Sequence, residues 1–377
     1  MSTIPRFHWF LPTGGDGRRL GGSVHGTGIG AHAIDRTAGT MRVEGQREAS
    51  LDYLTQIARA ADSLGYDGVL TPTGAHCEDA WIVTAALMAQ TQRLKFLVAF
   101  RPGLVEPVLA AHMASTFQQL SQGRLLLNVV SGGSDAEQRA YGDWLSHDER
   151  YERAGEFLDI VRESWTGQEL NYTGKHYQVE GAALRQPLTP IPRVYFGGSS
   201  DPALELASRH ADVYLSWGEP VAQAAEKIDR VRKLAADAGR EVHFGLRIHV
   251  ITRDTSKEAW AAADALIAGL SDEEIALGQQ RLRSVESVGQ RRMLDLHDGS
   301  REKLLVAPNL WAGVGLIRGG AGTALVGSHD EVAERIAEYH EAGFDEFILS
   351  GYPHLEEAYS FGEGVIPLLT HSGATHD

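Results

Sequence analysis

The stretch LKFLVAF, residues 94–100, and its counterpart RLLLNVVS, residues 124–131, decide how this chain is read. Each is an apolar run of strand length, and a longer segment of helical period separates them. The alternation continues in both directions. FHWFL (7–11) and DGVLTP (67–72) come before the pair, and RVYFGG (193–198), DVYLSW (212–217), HFGLRIHVIT (243–252) and EFILSGY (346–352) come after it. The intervening segments carry one-sided apolar faces: Leu51, Leu54, Ile57, Ala58, Ala61 and Leu64 share one side of a helix, as do Tyr151, Ala154, Phe157, Leu158, Val161 and Trp165. Eight strands each followed by a helix is the α/β pattern of a (β/α)8 TIM barrel, whose functional residues gather at the carboxyl ends of the strands. An open, doubly wound sheet is the alternative.

A chain of 377 residues fits one barrel domain, 1–377, with excursions. Three connections are long enough to be such excursions: 14–50, rich in glycine and polar residues; 171–186, a small hairpin with Thr173 and Gly174 near its turn; and 254–327. Thirty-five basic against fifty acidic side chains leave a formal charge of −15, which argues against nucleic acid or an anionic membrane as partner. An anionic ligand must therefore be met by locally placed arginines. A single cysteine, Cys77, excludes an internal disulfide framework and fits a reducing compartment. The opening MSTIPRFHWFLPTGGDG reads as neither signal peptide nor membrane span, so a cytoplasmic protein is expected.

On the barrel reading, the residues just past each strand share one mouth. Thr73, His76 and Cys77 follow the second strand, Asn128 and Ser131 end the fourth, and Gly197, Gly198, Ser199 and Ser200 follow the fifth. Trp217 ends the sixth strand and Tyr352 the eighth. Arg247 and His249, two apart, share one face of the seventh. YFGGSSDPALEL is the phosphate candidate: its glycines let backbone approach a ligand while Ser199 and Ser200 donate at a helix start. The competing reading is a tight turn with Asp201 capping that helix. Arg247 suits an oxyanion, or else a buried ion pair; His249 is a catalytic or a satisfied core imidazole; Cys77 is a reactive thiol or a small buried apolar residue; Trp217 lines the mouth or plugs the barrel.

The sixteen histidines form no H-E-x-x-H, and His8 stands alone on its strand, so no metal is expected. Glu78 and Asp79 open a helix and Glu219 precedes a proline, so each has a capping explanation and no catalytic carboxylate pair emerges. An organic cofactor is then the economical hypothesis.

WAGVGLIRGGAGTALVG, residues 311–327, holds six glycines, one arginine and no carboxylate. Arg318 stands where a dinucleotide fingerprint needs its third glycine, and Ala321 where a Walker loop needs lysine. What survives is a weakly restrained loop with a fixed cation, either a lid or an ordinary connection.

Jointly, FHWFLPTGGDG, TPTGAHCEDAW, FLVAFRPG, HDERYE, VYFGGSSD, YLSWGEP, GLRIHVI, NLWAGVGLIRGGAGTALVG and SGYPHLEEAY resemble the flavin-dependent alkanesulfonate monooxygenases of the bacterial luciferase-like superfamily. The resemblance spans nearly the whole chain. It implies a luciferase-like barrel that takes reduced FMN (FMNH2) from an NAD(P)H-dependent flavin reductase and uses O2 to cleave the carbon–sulfur bond of an organosulfonate, giving sulfite and an aldehyde. It further implies catalytic roles for Cys77, Trp217, Arg247, His249, Arg318 and Tyr352, and flavin contacts for Asn128, His147, Tyr151, Gly198, Ser199 and Ser200. Residues 311–327 become a lid tipped by Arg318, and a homo-oligomer, dimer or tetramer, is expected. Two departures bear on substrate. The segment SVHGTGIGAHAIDRTAGTMRVEGQ intervenes where relatives are shorter, and GAHCEDAW replaces their GRSCEDAW. Both point to a sulfonate bulkier or more hydroxylated than a simple alkanesulfonate, such as sulfoquinovose. A deazaflavin-dependent oxidoreductase of the same superfamily and a plain alkanesulfonate or methanesulfonate monooxygenase are the alternatives.

Overall fold

A computed structural model describes residues 4–20 and 47–371, so the whole of the 23–46 insertion noted above lies outside the described residues. Eight parallel strands close on themselves: β1 (Arg6–Phe10), β2 (Gly68–Thr71), β3 (Lys95–Phe100), β4 (Leu125–Val129), β5 (Val194–Gly197), β6 (Val213–Trp217), β7 (His243–Arg253) and β8 (Glu346–Ser350). Each pairs with the next, and β8 returns to β1 with Trp9 beside Leu349. After the eight strands come, in turn, the outer helices α1 (Leu51–Leu64), α2 (Ala80–Met88), α3 (Pro107–Ser121), α4 (His147–Ser164), α5 (Asp201–His210), α6 (Val221–Asp237), α7 (His329–Glu341) and α8 (His354–Gly364). The chain is a (β/α)8 barrel with extra strands, and the open-sheet alternative is excluded by the closure.

Local chemistry explains the joints. The Ser50 hydroxyl accepts from the Tyr53 amide to start α1, and Gly65, at φ 87°, ends it by donating its N–H to Ala61 O. Leu51, expected on the buried face of α1, is 53% exposed, while Leu54, Ile57 and Ala61 are buried. Along β1 the pleat sends Phe7 and Trp9 out against the helices and His8 and Phe10 into the barrel. Leu70, Leu97, Leu126, Tyr195, Val213 and Ile348 fill the interior, leaving no pore.

Two excursions have structure of their own. Leu170–Thr173 pairs antiparallel with Gln178–Ala182, closed where the Gly174 amide donates to Tyr177 O. The second begins on β7, which outruns its neighbours: its tail pairs in parallel with the strand Ala324–Ser328, setting Ala324 beside His249. That strand continues antiparallel to Leu310–Trp311. Three helices, Ser256–Ile267, Asp272–Arg283 and Val288–Asp295, enclose a separate small core containing Ile251, Leu266, Ile275, Trp311 and Val314.

Residues 311–327 are therefore not a loop throughout. Their ends are sheet strands, and Gly313–Leu316 is a buried 3-10 turn. The glycines serve close packing there: a methyl on Gly322 would lie 2.9 Å from Gly315 Cα, and one on Gly315 2.9 Å from the His297 ring. Only the short link from Ile317 to Gly320, with Gly320 at φ 85°, is part-exposed and free of such contacts around that glycine. Among the described residues no helix is long and apolar enough to cross a membrane.

At the amino end of the barrel the Glu346 carboxylate is buried and accepts from Tyr195 Oη at 2.6 Å, Arg193 Nη1 at 2.5 Å and His8 Nε2 at 3.0 Å. Burial pushes this carboxyl up, but the His8 and Tyr195 hydrogen bonds and the Arg193 charge outweigh it and hold it well below the usual range. A depressed carboxyl stabilises the fold above its unfolded pKa of about 4.3, and that contribution is lost as pH falls toward the folded value. Urea titration of Glu346→Ala is expected to show a loss of roughly 3–5 kcal/mol at neutral pH, a loss that shrinks in acid.

Candidate active site

The carboxyl ends of the strands surround a cavity of about 400 Å³, within the range of small-molecule sites. Cys77, Asn128, His147, Tyr151, Gly198, Ser199, Ser200, Trp217, Arg247, His249 and Arg318 all line it. Trp217 thus faces the cavity and does not plug the barrel. Tyr352 is not on the lining; it stands directly behind, its ring 5.3 Å from the Arg318 guanidinium carbon and 5.6 Å from His249.

Two buried guanidiniums dominate the floor. Arg247 rises from β7 and lies 4.9 Å from the centroid of Phe10, and Arg318, from the inserted segment, lies 5.7 Å from the same ring. The Arg247 Nη1 donates only to main-chain oxygens, Ile248 O at 3.0 Å and Ile348 O at 3.4 Å. No acceptor meets Arg318 Nη1 among the described residues, and neither guanidinium has a carboxylate partner there. The ion-pair reading of Arg247 is thereby set aside within that region. Burial pushes Arg247 down to about 9, helped by the Arg318 charge, and pushes Arg318 down to about 10. Both still carry protons at neutral pH. Two like charges held out of water, with no carboxylate in contact and only Asp16 acting on Arg318 from a distance, favour an anion between them.

His249 is fixed at both nitrogens. Its Nε2 lies 3.0 Å from Ala321 O, which only accepts, so Nε2 carries the proton and Nδ1 accepts from Ser350 Oγ at 2.6 Å. Burial first, then Arg247 and Arg318, push its pKa well down, so the ring stays neutral. His249 thereby ties the β7 strand to the link that carries Arg318. Gln290 adds a second tie, its Oε1 accepting from the Gly320 amide at 2.9 Å. The Cys77 thiol is pushed up by burial, against the Arg318 charge, and stays protonated.

At the opposite end α5 points its amino terminus into the cavity. Ser200, not Asp201, holds the N-cap position, and its hydroxyl makes no cap bond and has no partner among the described residues. Asp201 is the first helical residue, exposed, and pairs with Arg230 at 2.8 Å. The backbone at Gly198 packs so closely that a methyl there would lie 2.6 Å from Ala203 Cβ, while Tyr214 Oη donates to Gly198 O at 2.6 Å. An unpartnered hydroxyl at a helix amino terminus, with Tyr151 and Trp217 on the walls, fits a phosphate-bearing planar cofactor.

A model of the luciferase-like monooxygenases matches residues 6–346. The chain belongs to the luciferase-like monooxygenase family. Solved structures sharing the fold include a riboflavin lyase crystallised with modified FMN and riboflavin (21% identity, 98% of this chain and 92% of that one, TM-score 0.80). An EDTA monooxygenase from Chelativorans sp. BNC1 (20%, 98% and 95%, TM-score 0.73) and a long-chain alkane monooxygenase (21%, 99% and 92%, TM-score 0.76) share it too.

In this family member several cavity groups escaped the sequence. Phe10, the shelf under both arginines, reads as one more apolar strand residue. Arg101 stands just past β3, a position that marked other residues and should have marked it. Its partner Glu137, 6% exposed, begins a short helix and looks like an ordinary first-turn acid. Glu219, read as a capping residue, is in fact buried, bonded to Arg292 Nε at 2.5 Å and Lys227 Nζ at 2.7 Å. Asp16 and His354 make a buried pair behind Phe10, Oδ1 to Nδ1 at 2.8 Å.

Because the two arginines supply most of the site's positive charge, affinity for a small organic anion used as a probe is expected to hold near neutral pH and weaken as pH rises through about 9. Calorimetric titration across that range checks it, and an affinity that climbs above that point contradicts the assignment.

Proposed function

We propose that the protein is an FMNH2-dependent monooxygenase that cleaves the carbon–sulfur bond of an organosulfonate. The observation that carries this reading is the pair of buried, unmatched guanidiniums of Arg247 and Arg318 over one ring, in the same cavity as a phosphate-type helix terminus. Reduced FMN, bound with its phosphate at Ser199, Ser200 and the α5 terminus, would supply the electrons with which O2 is activated. Asn128, His147 and Tyr151 line the stretch where its ring system would lie. The balance is sulfonate, O2 and FMNH2 giving aldehyde, sulfite, water, FMN and a proton.

The residues divide the work. Arg247 and Arg318 bind the sulfonate and stabilise the second negative charge that sulfite acquires as it leaves. Neutral His249 positions the Arg318 link through Ala321, and Tyr352, its hydroxyl buried and unpartnered, offers a proton donor beside Arg318. Trp217 and Cys77 shape the wall. The Ile317–Gly320 link, bound by His249 and Gln290, is the part that could open to admit substrate and close to exclude water.

Reduced flavin would come from an NAD(P)H-dependent flavin reductase. A homo-oligomer, dimer or tetramer, belongs to the same reading through the family resemblance.

With FMN, a flavin reductase, NADH and a sulfonate panel, sulfite release is expected. Arg247→Ala and Arg318→Ala should each lower kcat/KM at least about a hundredfold while FMN affinity changes little. Ser200→Ala should do the reverse, weakening FMN binding several-fold at similar kcat. No sulfite from any sulfonate, with hydride transfer to a deazaflavin instead, contradicts the proposal.

A further inference from the structure

Away from Arg247 and Arg318 the cavity wall carries a second charged feature of a different kind. Arg101, just past β3, and Glu137, at the start of the helix Asp135–Ala140, are buried, 7% and 6% exposed, and both line the cavity. Arg101 Nη2 donates to Glu137 Oε2 at 2.8 Å. Glu137 Oε1 accepts from the Ala75 amide at 2.8 Å, and Gln138, itself donating to Ser131 O at 2.7 Å, buttresses Arg101 from the side. Neither member is saturated. Arg101 Nε has no acceptor among the described residues, and a carboxylate with two contacts retains acceptor capacity.

The two features of the wall thus differ in charge. One presents two cations with no carboxylate in contact; the other presents a matched pair with no net charge but with donor and acceptor side by side. Cys77, Arg318, Arg101 and Glu137 line the same cavity, so the two features face one ligand space. A second anionic group would be repelled by Glu137. A methylene would strip water from the pair and return nothing. A hydroxyl both accepts and donates, and it satisfies the two together.

From this geometry, and resting on the desulfonation reading above, we infer that Arg101 and Glu137 are specificity-determining residues that bind hydroxyl groups of the substrate, whose class is a polyhydroxylated, sugar-like organosulfonate anchored at Arg247 and Arg318.

The test compares sulfoquinovose with hexane-1-sulfonate, which share six carbons and a terminal sulfonate. The readouts are sulfite release and calorimetric affinity for the FMN-loaded protein without reductant. Wild type is expected to favour sulfoquinovose by about a hundredfold or more, since sites built for a hydroxyl reject analogues that lack it. Glu137→Gln should lower that ratio at least about tenfold. The paired replacement Arg101→Met with Glu137→Leu, which leaves no buried charge behind, should reduce it further. A wild-type ratio near one, or variants that weaken both ligands equally, overturns the inference, because a merely structural pair cannot alter discrimination. If neither compound yields sulfite, the desulfonation reading fails; the calorimetric ratio still decides whether the pair reads hydroxyls.

Discussion

Two guanidiniums share one phenyl ring in the floor of the barrel, buried and without a carboxylate among the described residues in contact with either. Such an arrangement costs free energy in the unliganded protein, since each charge has lost water and each repels the other. It persists because the surrounding structure holds it: Arg247 sits in the middle of a strand with β6, β8 and the Ala324–Ser328 strand beside it, and Phe10 is clamped in the interior by its own strand pairing. The cost is recovered when an anion arrives.

The fold contributes each half of this device by a different route. The barrel supplies Arg247 and Phe10 as a matter of pleat and register, one in the middle of β7 and the other at the end of β1, both facing the cavity. Arg318 comes from the long insertion, which needs its own small core and its own strand on the tail of β7 to bring a distant arginine over the same ring. His249 joins the two, because one residue of β7 both pairs beside Ala324 and bonds Ala321 through its side chain. The site therefore depends on the insertion docking onto β7 as much as on the barrel itself.

Much of this was legible in the chain. All eight strands follow from apolar runs of strand length, and the cavity residues follow from their place just past those runs. What was not legible has physical reasons. The glycines of 311–327 suggest looseness, whereas several are required by contacts with His297, Trp311 and each other that involve sequence-distant or ring-packed neighbours. Ser200 and Asp201 differ by one position, and only backbone dihedrals tell which one caps. Glu219, Glu137 and Arg101 owe their roles to partners on other loops, a pairing that no local pattern encodes.

The most direct measurement is a crystal structure of the protein with FMN and a bound organosulfonate. The account predicts sulfonate oxygens within hydrogen-bond distance of both Arg247 and Arg318, above the Phe10 ring, with the flavin phosphate at the amino terminus of α5. A sulfonate seated elsewhere in the cavity, touching neither guanidinium or only one with the other turned away, would contradict it.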